Sequence, residues 1–396
     1  MHQPLSVAVV TTHPIQYQVP WLRMLAQAPD IDLHVFFGML PNASEQGKDF
    51  GVAFEWDLPL LDGYAYTVLD NRAKSPSLIE FSGCDTPTIG AELERGRFDA
   101  VIVNGWVAKM CIQALWACRR RGIPCIVRGE VNGIRLRPAW KRAGHRVLLG
   151  QYAALLAIGV ENKRYLRERG VPQHKIFDTP YCVDNERFSA AANSFRQGDR
   201  GALRARFGLE PNVPTFLFSG KFVDKKRPMD LVAACRTLVR DRSSRCQVLM
   251  VGDGPLGPAL REAASGLPIQ FAGFLNQSEI AAAYAAADCL VLPSDSGETW
   301  GLVVNEAMAC GLPVLVSSEV GCGADLVISG ETGDFFPCGD VPALANRIAA
   351  FAAQPAWMDR MGDRAQQRVC DRYNFQEVVA GARAALAFVT TGRTER

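Results

Sequence analysis

Glu298 and Glu306 bracket a turn in the stretch Pro293-Ser-Asp-Ser-Gly-Glu-Thr-Trp-Gly-Leu-Val-Val-Asn-Glu-Ala-Met-Ala-Cys-Gly-Leu-Pro313. Free backbone N–H groups at Gly301 to Val304, at the start of a helix, suit an anion. Glu306, one turn inside that helix, is placed to accept hydrogen bonds from hydroxyls of whatever carries the anion, and Glu298 from a second hydroxyl-bearing group. A phosphate flanked by two polyols describes a sugar nucleotide. The same residues also suit an ordinary connection whose acids solvate a helix start, and residue types alone leave the two readings open.

The elements that would position these side chains are legible around them. Asp288 to Leu292 is a short apolar run ending at Pro293, as a buried parallel strand should. Gly297 and Gly301 permit a tight turn, Leu302 to Cys310 reads as a helix, and Gly311 and Pro313 stop it. Three more loops follow predicted strand ends. Ser219-Gly-Lys-Phe-Val-Asp-Lys-Lys-Arg227 joins a glycine to several lysines, which suits a pyrophosphate or a solvated charge cluster. Val251-Gly-Asp-Gly-Pro255 is a glycine turn leading into a helix. Ala272-Gly-Phe-Leu275 offers bare backbone to a nucleobase edge.

Strands and helices alternate in both halves of the chain, which argues for two doubly wound α/β domains with ligands at the carboxyl ends of the strands, between the domains. The expected division is 1–185, 186–372, and a C-terminal helix over 373–396 that packs back towards the first domain. Thr179 to Phe188 and the polar sequence to Gly201 read as the junction. Residues 38 to 86 are irregular, with one strand at Tyr66 to Leu69, and are too long for a plain connection; they read as a functional insertion near a cleft.

A length of 396 residues, 48% hydrophobic and 21% charged, is that of a globular protein of two to three domains, and a net charge of +2 gives no sign of a nucleic-acid partner. No apolar run reaches the ~18 residues of a transmembrane helix, and no signal peptide is evident. The 12 cysteines include no C-x-x-C pair and read as small buried hydrophobes in a reducing compartment, so a cytoplasmic location is expected.

Together the four loops resemble, in order and spacing, the donor half of the retaining glycosyltransferases of family 4, group 1 enzymes of the GT-B fold. The family's glycine-Arg and following Lys fall on Gly220, Lys221 and Lys226, its Gly-Asp-Gly-Pro turn on Gly252 to Pro255, and its Glu-x7-Glu pair on Glu298 and Glu306. Val320-Gly-Cys-Gly-Ala-Asp-Leu326, Gly330-Glu-Thr-Gly333, and the segment from Val171 through Phe188 extend the likeness over roughly 155 to 375. The resemblance implies two Rossmann-like domains facing each other across a cleft. It also implies transfer of a hexosyl-type sugar, with retention, from a nucleoside-diphosphate sugar to a glycan or lipid-linked acceptor, without metal or other cofactor. Glu298, Lys226 and Lys221 would be catalytic. Gly220, Gly252, Asp253, Gly273, Phe274, Thr299, Gly301, Leu302, Val303 and Glu306 would bind the donor, Glu306 at the ribose and Glu298 at the transferred sugar. Lys221 departs from the family's Arg, keeping the charge but losing the bidentate fork. Bacterial surface-polysaccharide or glycolipid assembly is the expected setting.

In the first half the resemblance is thin. Thr12-His-Pro-Ile-Gln-Tyr17 follows the first strand, so His13, Gln16 and Tyr17 are candidates for the donor sugar or acceptor, or simply a loop that caps the next helix. Trp106, Arg128 and Glu130 also follow strands and are candidates for the same side. Residues 135 to 149 are basic and amphipathic around Trp140, fitting either a peripheral contact with anionic lipid on the inner face of the cell membrane or a surface helix packed on its own sheet. Two other functions share the architecture: a sugar-nucleotide epimerase, for which only Glu130 is a candidate acid or base, and a non-catalytic nucleotide-binding protein.

Overall fold

The computed structural model describes residues 3–47, 51–241 and 244–391; the extreme ends of the predicted ranges, 1–2 and 392–396, lie outside them. In chain order the elements are β1 (Leu5–Thr11), α1 (Val19–Ala26), β2 (Ile31–Phe37), α2 (Ala43–Gly47), β3 (Ala65–Val68), α3 (Ile89–Gly96), β4 (Ala100–Asn104), α4 (Lys109–Arg121), β5 (Cys125–Gly129), α5 (Ala139–Leu149), β6 (Ala154–Ala157), α6 (Val160–Glu168) and β7 (Ile176–Asp178). The second half follows with α7 (Asn185–Gln197), α8 (Arg200–Arg206), β8 (Thr215–Ser219), α9 (Pro228–Asp241), β9 (Gln247–Val251), α10 (Gly257–Ala263), β10 (Ile269–Gly273), α11 (Ile280–Ala286), β11 (Cys289–Leu292), α12 (Leu302–Ala309), β12 (Val314–Ser317), α13 (Gly323–Leu326), β13 (Gly333–Phe336), α14 (Val341–Ala352), α15 (Pro355–Arg372) and α16 (Phe375–Thr390).

These elements form two parallel sheets. One has the order β3-β2-β1-β4-β5-β6-β7, the other β10-β9-β8-β11-β12-β13, and every strand pair is parallel. Strands such as Val7 to Val10 and Phe216 to Phe218 are wholly buried, because helices cover both faces of a parallel sheet and leave no side to water. Each fully buried Phe or Leu side chain contributes about 2 kcal/mol of transfer free energy. Strand order reverses between β1 and β4 and again between β8 and β11, so each sheet has a switch point where loops diverge and a ligand can enter. These are two doubly wound α/β domains, as the alternation of strands and helices implies.

The compact units are not contiguous. One comprises Met1–Pro41, Pro59–Tyr181 and Phe375–Arg396; the other comprises Asn42–Leu58 and Cys182–Asn374. The break falls after Tyr181, not at 185. Asn42–Leu58, which the sequence reading puts in the first domain, groups with the second because its aromatic and polar residues bond to the loop after β10. Phe375–Arg396 groups with the first unit, where α16 lies along β6 and β7. Gly381 makes that approach possible: a Cβ there would fall 1.7 Å from the Asp178 carbonyl oxygen.

The stretch expected as the junction, Thr179 to Gly201, holds the break after Tyr181, but from Asn185 onward it is helical. Asp184 caps α7 by accepting from the Arg187 N–H at 3.0 Å, and Phe188 and Ala192 are buried on its inner face. Asp199 caps α8 in the same way. The composition looks linker-like because the outer faces are polar, while the few apolar residues recur at helical spacing. The stretch 38–86, expected to be irregular with one strand, also holds α2, and α3 follows it at Ile89–Gly96; neither helix was foreseen. All 12 cysteines are free thiols; Cys338 is half-buried, Cys370 is exposed and the others are buried.

Candidate active site

In the second unit the four loops meet at the switch point. The Gly220 N–H donates to the Val251 carbonyl at 3.0 Å, and the Gly252 N–H donates to the Gly273 carbonyl at 2.8 Å. The Phe222 N–H donates to the Asp253 carbonyl at 2.9 Å. Gly252 has φ 124°, and a Cβ there would lie 2.0 Å from the Gly220 carbonyl oxygen. Only glycine lets the first two loops approach this closely. Asp253 caps its own turn through the Gly254 N–H at 2.9 Å and reaches Arg261 at 3.3 Å.

Lys226 stands at the end of a short 3-10 turn after β8 and forms an ion pair with Glu298. Each of these side chains keeps only 12% of its exposure, so the pair is largely desolvated and its electrostatics are barely screened. Ser294 Oγ also donates to Glu298, at 3.3 Å. Burial pushes the Glu298 carboxyl up, but the ammonium of Lys226, with Lys225 and the Ser294 hydroxyl, outweighs it and holds the carboxyl below its ordinary range.

Glu306, in α12, lies in a different environment. It accepts a hydrogen bond from the buried Tyr284 hydroxyl at 2.6 Å. Burial pushes its carboxyl up, and the Tyr284 hydroxyl, Arg187, Gln277 and Lys226 only partly offset that. Arg187 is itself clamped, donating to the Gln277 carbonyl at 2.8 Å and to its Oε1 at 2.6 Å, with its guanidinium 4.4 Å above the Phe188 ring. Lys226 therefore acts on both carboxylates, bonded to one and lowering the other through space.

The first turn of α12 begins at Gly301, in the left-handed region with φ 103° and with no side chain capping the helix. Gly301 is buried, and Thr299, Leu302 and Val303 are half-buried beside it. Trp300 anchors the turn from below, donating through Nε1 to Asn305 at 2.8 Å. Lys221 and Phe274 are half-buried at the loops after β8 and β10. Thus the structure brings the predicted donor-side residues of all four loops to one sheet edge. Sequence reasoning missed Tyr284, Gln277 and Arg187 around Glu306, although a lone tyrosine within Ala281-Ala-Ala-Tyr-Ala-Ala286 was a signal.

In the first unit Tyr17, Arg128 and Glu130 form one cluster with Tyr181. Tyr181 donates to Glu130, and the Tyr17 hydroxyl bonds within the same group. Burial, then the nearby Glu130, pushes both tyrosine hydroxyls up, so they remain protonated donors. Arg128 is 5% exposed, stacks 4.5 Å over the Tyr181 ring and bonds Thr179, while its Nη1 is buried with no partner among the described residues. His13 bonds Thr12 Oγ1 at 2.9 Å, and burial lowers its pKa to about 4, so it is neutral at physiological pH. Gln16 is half-buried in the same turn. Trp106 differs from its expected role: it is packed in the core over Gly129, whose missing side chain makes room for the indole, with its edge against His145.

The basic segment is exposed along almost its full length. Leu136, Trp140 and Val147 keep 90%, 71% and 69% of their exposure, and Leu149 is the only buried residue of α5. Among the described residues no helix is long and apolar enough to cross a membrane.

Comparison with known proteins gives this geometry a family. The model of the glycosyl transferases group 1 matches residues 199–368. A D-inositol 3-phosphate glycosyltransferase of Frankia alni is 30% identical over 292 residues, which are 68% of this chain and 69% of that protein. Among solved structures, a glycosyltransferase from Rickettsia africae aligns with a TM-score of 0.76 at 14% identity over 98% of this chain and 99% of its own. HepE of Anabaena, solved in complex with UDP, aligns with a TM-score of 0.72 at 16% identity over 97% of this chain and all of its own. The chain belongs to the group 1 glycosyltransferases.

Proposed function

We propose that the chain is a retaining, metal-independent enzyme of glycosyltransferase family 4. It moves a hexosyl-type sugar from a nucleoside-diphosphate sugar to a glycan or lipid-linked acceptor in surface-polysaccharide or glycolipid biosynthesis. The observation that carries the reading is Lys226 paired with buried Glu298 and acting through space on half-buried Glu306, two carboxylates shifted in opposite directions on either side of the uncapped first turn of α12. The fixed ammonium and the helix N–H groups of Gly301 to Val303 wait where a departing diphosphate develops charge. Lys221 adds a second cation. Glu306 takes the ribose hydroxyls, and Glu298 takes hydroxyls of the transferred sugar once the diphosphate shares Lys226. Gly220, Gly252, Asp253, Gly273, Phe274 and Thr299 complete the donor pocket.

On the acceptor side we assign Tyr17, Arg128, Glu130, Gln16 and neutral His13. The buried Nη1 of Arg128, without a partner among the described residues, supplies a donor for an acceptor oxygen, and the Tyr17–Tyr181–Glu130 hydrogen bonds hold the cluster in place beside it. The reaction expected of such a site breaks the bond between the anomeric carbon and the phosphate oxygen. That oxygen takes the acceptor's proton on the same face, which preserves the configuration. Peripheral attachment to anionic membrane through residues 135–149 belongs to the same reading: five cations (Arg135, Arg137, Lys141, Arg142, Arg146) surround exposed Leu136, Trp140 and Val147, and no acidic residue lies between Glu130 and Glu161.

Incubation with a panel of sugar nucleotides and glycan or lipid-linked acceptors is expected to release nucleoside diphosphate and to form an α-linked product from an α-linked donor, unchanged by EDTA. Epimer formation without an acceptor, or nucleotide binding with no turnover on any pair, would replace the proposal.

A further inference from the structure

The predicted insertion holds a feature that the donor-site reading leaves unused. The chain leaves the first unit after Pro41 and returns to it at Pro59, and Asn42–Leu58 folds with the second unit. This strap has its own local structure. Asn42 and Glu45 form a reciprocal capping box, each side chain accepting from the other's N–H at 2.9 Å, and the Phe54 N–H closes back on the Ala43 carbonyl at 3.1 Å.

Its far end is fastened to the loop that follows β10. The Phe54 ring lies on the Phe274 ring with centroids 4.3 Å apart and planes tilted by 33°, and Trp56 meets Phe54 edge-on at 4.8 Å. Asn276 Nδ2 donates to the Glu55 carbonyl at 2.7 Å. The Ser278 N–H donates to Asp57 Oδ2 at 3.0 Å, and its hydroxyl donates to the same oxygen. These two anchors flank Gln277, the residue that clamps Arg187 and bonds Glu306. Immediately before them, the position of a Cβ on Gly273 meets no atom within 4 Å, so open space adjoins a half-buried aromatic cluster.

A strap that only covered apolar surface would bury its rings. Phe54, Trp56 and Phe274 instead stay half-exposed next to the open space at Gly273, with their loop pinned on both sides of the residue that serves Glu306. An aromatic face beside open space accepts any flat heterocycle, because stacking needs only a π-surface. We infer that the strap forms the nucleobase end of the donor site: Phe54, braced by Trp56, and Phe274 build the stacking wall for the base, and the Glu55 and Asp57 anchors hold that wall in register with Glu306. The inference rests on the assignment of Glu306 to the ribose.

Isothermal titration of the full chain with UDP, ADP, GDP and inorganic pyrophosphate tests it. Phe54→Ala is expected to weaken the best nucleoside diphosphate about tenfold while leaving pyrophosphate unchanged. Phe54→Trp should restore the affinity, and Phe54→Leu, which keeps apolar bulk without the ring, should not. Wild-type nucleotide affinity in Phe54→Ala, alongside its loss in Glu306→Ala, would overturn the strap's role and leave the ribose site standing. Equal weakening of pyrophosphate and nucleotide would reduce the strap to a general support. If no nucleoside diphosphate binds the wild-type chain, the donor-site reading fails and takes this inference with it.

Discussion

Lys226 separates two carboxylates whose proton affinities are displaced in opposite directions, and the sign of each displacement predicts a different behaviour on substitution. Glu298 is held below its ordinary value of 4.5, so its pairing stabilises the fold fully above that pH and is lost as the pH falls through the folded value. Glu306 is raised above the same ordinary value, so its charged form costs stability at neutral pH, and the cost is relieved as the pH falls through its folded value. Glu306→Gln is therefore expected to melt higher than wild type at neutral pH, with the gap closing under acid, when followed by thermal denaturation across a pH series. Glu306→Ala should raise the dissociation constant for nucleoside diphosphate at least tenfold, by loss of hydrogen bonds to ribose; unchanged affinity by calorimetry would remove it from that role. Lys226→Ala should nearly abolish turnover and lose ~3 kcal/mol, because a buried carboxylate is left without its partner. Adding Glu298→Gln should recover most of that stability in denaturant titrations but none of the turnover, which separates the cation's catalytic part from its structural one.

At the scale of the element, the donor edge depends on glycines that allow loops to touch. Gly252→Ala places a Cβ 2.0 Å from the Gly220 carbonyl oxygen in a backbone conformation that alanine avoids. It is expected to cost at least ~2 kcal/mol and to abolish nucleotide binding, as read by urea unfolding and titration of the same sample; wild-type stability would show that the two loops can separate freely. This edge was legible in advance because its signals are local: apolar runs that end at glycines, and two glutamates within one turn-and-helix unit. Gln277 and Arg187 were not legible, and Tyr284 only as a lone polar ring in an alanine run, because they reach Glu306 from the loop before α11, from α7 and from α11, and no spacing in the sequence records such distances. The helices α7 and α8 were lost in polar composition, since helices that bury only Asn185, Phe188 and Ala192 in one case and Leu203 and Arg204 in the other present a mostly polar sequence. Trp106 was misjudged for the converse reason: a residue after a strand end was read as facing ligand, whereas Gly129 draws its ring into the core.

For the molecule as a whole, the exposed basic segment predicts where it acts. Flotation with phosphatidylglycerol-containing vesicles should carry the protein, and neutral phosphatidylcholine vesicles should not. Trp140→Ala combined with Leu136→Ser should reduce the bound fraction several-fold without changing solution turnover on a water-soluble acceptor. Equal binding to both lipids, or no loss in the variant, would dismiss the membrane contact. The return of α16 to the first unit has a consequence for synthesis. A chain emerging from its N-terminus presents β6 and β7 long before Phe375–Thr390 exists to lie along them, and the strap waits likewise for a β10 more than 200 residues downstream. The second unit, Asn42–Leu58 with Cys182–Asn374, thus has all its residues before the first unit, which still waits for Phe375–Arg396. Released chains truncated after Asn374 should carry a protease-sensitive N-terminal half beside a resistant C-terminal one, so that the half whose translation begins first is the half whose folding ends last.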